Sequence, residues 1–246
     1  MYFDKIVCWE PVNVNDPMVQ AAGRLYEETL ALNERIPWDW IEHSVGQEIK
    51  PGGWSRHLIL AAPEGRTHNP SELAGYVYGA FLPGYGGYLC YVGVAPWARK
   101  LGVGTALYEA FFRAMRTDAV LTGERLPFVV WESHRPEPGD LDQNIWTART
   151  RLFDRVGGLW VEGVDFLSPN FAEGDETPVP LQLFVKPEDE PIVNFNPQRL
   201  RELIAGLHDR VYRNEPGEPL YDGTLTPGCE PRLVSALLSA ANDVMV

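Results

Sequence analysis

Val94-Ala95-Pro96-Trp97-Ala98-Arg99-Lys100-Leu101-Gly102-Val103-Gly104 joins an apolar run, Tyr88 to Val94, to a segment of helical period. A strand that turns directly into a helix leaves the first amide N–H groups of that helix without internal acceptors, at the positive end of its dipole. Such an end is a prepared site for an anion. Gly102 and Gly104 carry no Cβ to hold a ligand away from the backbone, and Arg99 adds a full positive charge at the entrance. Other phosphate-binding turns fit less well. A phosphate loop of the Gly-Lys-Ser/Thr kind is absent, because Thr105-Ala106 follows Gly104. A dinucleotide fingerprint needs a third glycine, which Gly102-Val103-Gly104-Thr105-Ala106-Leu107 lacks. Taken alone, the hexapeptide is equally compatible with a tight strand-to-helix junction that binds nothing.

Upstream, Ile6 to Trp9 reads as a short strand. Asp16-Pro17 opens a helix, with Asp16 as N-cap and Pro17 in the first turn. Val19, Ala22, Leu25 or Tyr26, Thr29 and Leu32 recur there at helical spacing. A second helix is expected over Trp38 to Ile49, ended by Pro51-Gly52-Gly53. His57 to Ala62, Leu73 to Leu82 and Tyr88 to Val94 read as strands, the last two as an antiparallel hairpin.

Downstream of Gly102, Val103, Leu107, Ala110 or Phe111 and Ala114 share one helical face, opposite Glu109, Arg113 and Arg116. Pro127 to Glu132 is a buried strand. Ile145, Ala148, Leu152 and Val156 mark a helix stopped by Gly157-Gly158. Leu159 to Phe166 and Val179 to Val185 read as further strands. Lys186-Pro187-Glu188-Asp189-Glu190-Pro191 breaks the pattern and marks a boundary. The expected division is an α+β domain over 1–190 and a helical extension over 191–246. In that extension, Pro197 to Tyr212 is an amphipathic helix with Leu200, Leu203, Ile204, Leu207 and Val211 on one face, 215–231 is loop, and Pro231 to Val244 is a second helix.

The bulk numbers permit this plan. Hydrophobic residues make up 45% of the 246 and charged ones 22%, enough to bury an ordinary core. The net charge of −13 argues against an overall nucleic-acid footprint and favours cationic partners such as amines. Cys8, Cys90 and Cys229 are odd in number and far apart, so neither a disulfide framework nor a metal site is expected. No apolar run nears the ~20 residues that span a bilayer, and the N-terminus is unlike a signal peptide. A cytoplasmic location with no membrane contact is the expectation.

In context the turn says more. Val94-x-Pro96-x-x-Arg99-x-x-Gly102-x-Gly104, after a strand and before an amphipathic helix, resembles the signature of the GNAT superfamily. That signature is Arg/Gln-x-x-Gly-x-Gly/Ala behind a strand ending Val-x-Pro. Ala148 to Gly158 also resembles the family's late helix, and the order of elements fits from Ile6 to about Val185. The resemblance implies the GNAT fold, a mostly antiparallel mixed sheet flanked by helices, and acetyl-CoA as acyl donor. It implies that backbone groups of Val92 and Val94 hold the pantetheine arm like an added strand. It further implies that Arg99, Lys100, Leu101, Gly102, Val103, Gly104 and Thr105 hold the pyrophosphate through their backbone.

The implied reaction is direct attack of an amine, on a small molecule or a peptide, upon the thioester carbonyl. It needs a base for the amine proton and favours a donor for the leaving thiolate. The family often places a Tyr in the late helix as donor, where this chain has Phe153. The departure leaves three options: another donor, unassisted departure of the thiolate, or a catalytically weak acyl-CoA-binding module. For the base, Glu132 and His134 lie two residues apart at the end of a strand, on the face of Phe128 and Val130. His134 titrates near neutrality when unperturbed. Tyr91, on the strand before the turn, is a core residue, a pocket wall or a proton donor. The family often sets an Asn on the cofactor in the late helix; alignment puts Trp146 at that place, two residues beyond Asn144. Trp38, Trp40 and Trp54 fall where the family builds its acceptor pocket, and the C-terminal helices are candidates for a homodimer contact.

Overall fold

The computed structural model describes residues 5–47, 53–136 and 143–241. Its contacts gather into two compact units, Met1–Leu126 and Pro127–Val246.

The first unit runs β1 (Ile6–Trp9), α1 (Pro17–Thr29), α2 (Trp38–Glu42), β2 (Ser55–Pro63), β3 (Gly75–Leu82), β4 (Gly86–Val94) and α3 (Val103–Thr122). The four strands pair antiparallel in chain order. Every residue of β3 is buried, as a central strand with both faces covered must be. Asp16 caps α1 as expected, accepting from the Met18 N–H at 2.9 Å. Alternation along β3 separates its two faces. Tyr76 packs toward α1 through Tyr26, at 6.1 Å between rings. Gly79 faces α3, where a Cβ would lie 2.6 Å from the Phe111 ring. The missing side chain is what lets α3 settle on the sheet, burying Val103, Leu107, Phe111 and Met115. The helix expected over Trp38 to Ile49 ends at Glu42 and gives way to a turn over 43–46; Glu48, Ile49, Pro51 and Gly52 lie outside the described residues.

The second unit runs β5 (Phe128–Ser133), α4 (Gln143–Arg155), β6 (Leu159–Glu162), β7 (Phe166–Ser168), β8 (Val179–Pro187), α5 (Pro197–Leu207), α6 (Pro219–Thr224), β9 (Arg232–Ser235) and α7 (Leu238–Ala241). β8 pairs antiparallel with β5, β6 and β7, and β6 with β9. On one face Trp131 and Phe184 stack at 6.1 Å, and Phe153 and Trp146 of α4 close over them. On the other face Phe128 meets Phe195, at 6.3 Å, just ahead of α5.

Several readings of the second unit change, among them the expected loop over 215–231, which carries α6, and the helix expected over 197–212, which is α-helical only to Leu207. The run from Leu159 to Phe166 is two strands, parted at Gly163, whose φ of +83° turns the chain. α4 buries Trp146, Thr150 and Phe153, while Ile145 is 40% exposed. Its packed stripe is therefore rotated from the expected Ile145, Ala148, Leu152 face, because the aromatic rings fit the space beside Phe184. The segment after Pro231 is a strand and a short helix; pairing with β6 outweighs its helical spacing, and its last residues lie outside the described ones. No helix among the described residues is long and apolar enough to cross a membrane.

Candidate functional site

The site in the first unit is built from main chain. The Ala95 N–H donates to the Ala74 carbonyl at 2.9 Å, so residue 95 faces β3. Peptide groups alternate in direction along a strand, which turns those of Val92 and Val94 away from β3. A one-residue irregularity between β3 and β4 leaves Cys90 without an opposite number just before them. Beyond Val94 the chain makes a single turn over Pro96–Ala98. Lys100 then takes a left-handed conformation, φ 67°, and Gly102 follows at φ 81° as the N-cap of α3. The first intrahelical bond is Ala106 N–H to Gly102 carbonyl at 3.0 Å. The N–H groups of Val103, Gly104 and Thr105 thus have no acceptor within the helix, and no side chain caps them. Arg99 and Lys100 are exposed beside them, and a Cβ on Gly102 would meet nothing within 4 Å. The arrangement is open, cationic and lined with donors, which fits the diphosphate of a nucleotide cofactor.

Tyr91 lies one residue before this edge. Its ring is buried against Tyr26 at 5.1 Å. Its hydroxyl donates to the Glu34 carbonyl at 2.9 Å and accepts from the Ile36 N–H at 3.1 Å. Burial pushes that hydroxyl well above its ordinary pKa. Tyr26 donates to the Ile36 carbonyl at 2.8 Å. Two tyrosines thus fasten the segment between α1 and α2 to β4. Trp38 belongs to this cluster, 5.3 Å from Tyr26, whereas Trp40 is 57% exposed on α2.

In the second unit, Glu132 stands half-buried at the end of β5, and its carboxylate accepts a hydrogen bond from the Tyr212 hydroxyl. His134 follows beyond the strand. Its carbonyl accepts from Arg149 at 3.3 Å, and its buried Nδ1 has no hydrogen-bond partner among the described residues. Phe153 is 4% exposed, packed 4.6 Å from Phe184 and 5.6 Å from Trp131. No hydroxyl stands at that position to serve a leaving group. Trp146 is a core residue, fully buried with its indole N–H toward the Ser239 carbonyl at 3.4 Å, and Asn144 is exposed.

Two polar features escaped the sequence. Tyr212 meets Glu132 across 80 residues, with no local pattern to announce it. A second cluster joins His57, Asp118 and Glu10. His57 Nε2 is 2.6 Å from Asp118 Oδ2, and its Nδ1 is 3.1 Å from Glu10. Burial alone would lower the His57 pKa, but the bonds to Asp118 and Glu10 outweigh it and raise the value to about 9. Here a signal existed, since Asp118 falls on the apolar stripe of α3 behind Phe111 and Met115.

Residues 23–125 match the acetyltransferase (GNAT) family. No curated protein matches the sequence. Among solved structures, the chain resembles one assigned to the GNAT acetyltransferases of Bacteroides thetaiotaomicron, at 15% identity and TM-score 0.55, covering 85% of this chain and 99% of that one. It also resembles an acetyltransferase structure from Acinetobacter baylyi, at 11% identity and TM-score 0.50, covering 76% and 96%. At such identities the likeness is one of fold, and it reaches well past the matched segment. β4, the glycine turn and α3 all lie inside the segment that matches the acetyltransferase (GNAT) family.

Proposed function

We propose that this chain transfers an acetyl group from acetyl-CoA to an amine of a small molecule or a peptide. The observation that carries the reading is the donor-lined start of α3 directly behind β4, within the segment that matches the GNAT family. The outward peptide groups of Val92 and Val94 hold the pantetheine arm as an added strand would be held. The backbone from Arg99 to Thr105 receives the pyrophosphate, with the Arg99 and Lys100 side chains adding charge at its mouth. Acetyl-CoA supplies the acetyl group as a thioester. Glu132 takes the proton that the amine nitrogen gives up as its bond to the carbonyl carbon forms and the carbon–sulfur bond breaks. His134, close along the chain, is the second candidate for that proton. A thiol of pKa about 8.5 departs as thiolate without a donor at Phe153. The net charge of −13 favours the approach of cationic acceptors.

Calorimetry with acetyl-CoA, followed by thiol release over a panel of amines, tests the reading. Binding in roughly the micromolar to millimolar range is expected, with release on at least one amine. Tight binding with no release on any amine would instead make the protein an acyl-CoA-binding module.

A further inference from the structure

We propose that Tyr212 positions the Glu132 carboxylate for proton transfer, which makes the C-terminal segment part of the catalytic machinery. The proposal rests on the reading of Glu132 as base.

The geometry begins with the end of α5. Leu200, Leu203, Ile204 and Leu207 are fully buried, and continued α-helical spacing would bring Val211 onto the same stripe. The chain departs from that spacing. His208–Tyr212 forms a wider π turn, closed by the Arg213 N–H donating to the His208 carbonyl five residues back. Arg213 ends it in a left-handed conformation, φ 60°. One extra residue in the turn advances the stripe to Tyr212. Wide turns of this kind cost hydrogen-bond quality and gather at functional positions.

The surroundings hold the tyrosine in place. Its ring lies 6.2 Å from Phe166 and 5.9 Å from His208. Its hydroxyl reaches Glu132 on the face of β5 that also carries Phe128 and Val130. Opposite Glu132, β8 presents Leu183, flanked on that face by Leu181 and Val185, all apolar. The titratable groups nearby are His134, just beyond β5, His208 against Tyr212 and Tyr221, and Asp209 and Arg210 in the same turn. Arg199 lies over Phe128, 5.5 Å from its ring, and is paired with Glu190 at 2.9 Å. Burial drives the His208 pKa down to about 4, so it stands beside Tyr212 as a neutral ring.

A hydroxyl donating to a carboxylate makes a charge-assisted bond that favours the ionised form. It engages one carboxylate oxygen and orients the other. The bond thus fixes where the carboxylate points during proton transfer.

Titration of the Glu132 carboxyl by carbon-13 NMR tests this on the full chain, with Glu132→Gln identifying the resonance. In Tyr212→Phe the ring packing is retained and the hydroxyl is lost. The Glu132 pKa should rise by about one unit, the worth of one hydrogen bond to a charged group. With an amine that supports thiol release, kcat should fall about tenfold at neutral pH while the KM for acetyl-CoA holds. An unshifted Glu132 titration overturns the proposal whatever the activity. A Glu132→Gln protein with full turnover overturns the reading of Glu132 as base, and leaves the hydroxyl as a structural clasp only.

Discussion

His57 shows how a single side chain can make the first unit sensitive to pH. It sits between a carboxylate on α3 and one just beyond β1, and its pKa near 9 lies above the ordinary 6.5. The folded chain therefore holds a proton that the unfolded chain releases. Stability from this proton is complete below pH 6.5, declines as pH rises, and is gone above about 9. The full effect is on the order of 3 kcal/mol, from about 1.4 kcal/mol per unit of pKa. Urea unfolding followed from pH 6 to 10 should show this decline, and Asp118→Asn should flatten it. A wild-type midpoint that stays level across the range would show that His57 is neutral in the fold. Asp118 was missed, although a polar residue on the apolar stripe of α3 is a local signal of a buried partner. Its partner was not legible, because β2 and α3 meet only in the fold. Glu132 was singled out by its strand-end position, and Phe153 by its place in the late helix.

Among elements, the turn between β4 and α3 was the most legible, since a strand, two glycines and an amphipathic helix follow one another without interruption. The structure adds the conformations: left-handed at Lys100 and Gly102, helical from Val103. Gly102 has open space where a side chain would begin, so a substitution there costs about 1 kcal/mol of backbone strain without a clash. Replacing Gly102 and Gly104 together by valine should leave the circular dichroism largely intact and weaken acetyl-CoA binding about tenfold or more in calorimetry. Retained affinity in a folded double variant would place the cofactor elsewhere. The elements that misled did so for identifiable reasons. β9 is a strand because β6 offers it a ladder, and such an offer is invisible in local spacing. α5 ends in a π turn that sets Tyr212 and His208 beside Phe166, which a strict helical period cannot express. Apolar runs that were long and bounded by Pro or Gly, such as β2, β3 and β8, read correctly within a few residues.

At the scale of the molecule, the segment after Pro191 contributes heavily to the second unit. α5 buries four aliphatic side chains completely, and β9 adds four residues to the ladder at β6. At roughly 2 kcal/mol for each buried side chain, the loss is comparable to the stability of a whole domain, about 5–15 kcal/mol. A chain ended after Glu190 should therefore lose the cooperative thermal transition of residues 127–190, while the first unit keeps its own. An unchanged transition would show that the segment is a separable appendage.

The outward peptide groups of Val92 and Val94 and the bare N–H groups opening α3 have a consequence for descent. Contacts made by the main chain are common to all residue types, so they survive almost any exchange of side chain. What inheritance must preserve is a conformation, and only a residue such as Gly102 is tied to one. A cofactor grip of the proposed kind leaves side chains free to diverge until little beyond the path of the chain remains in common.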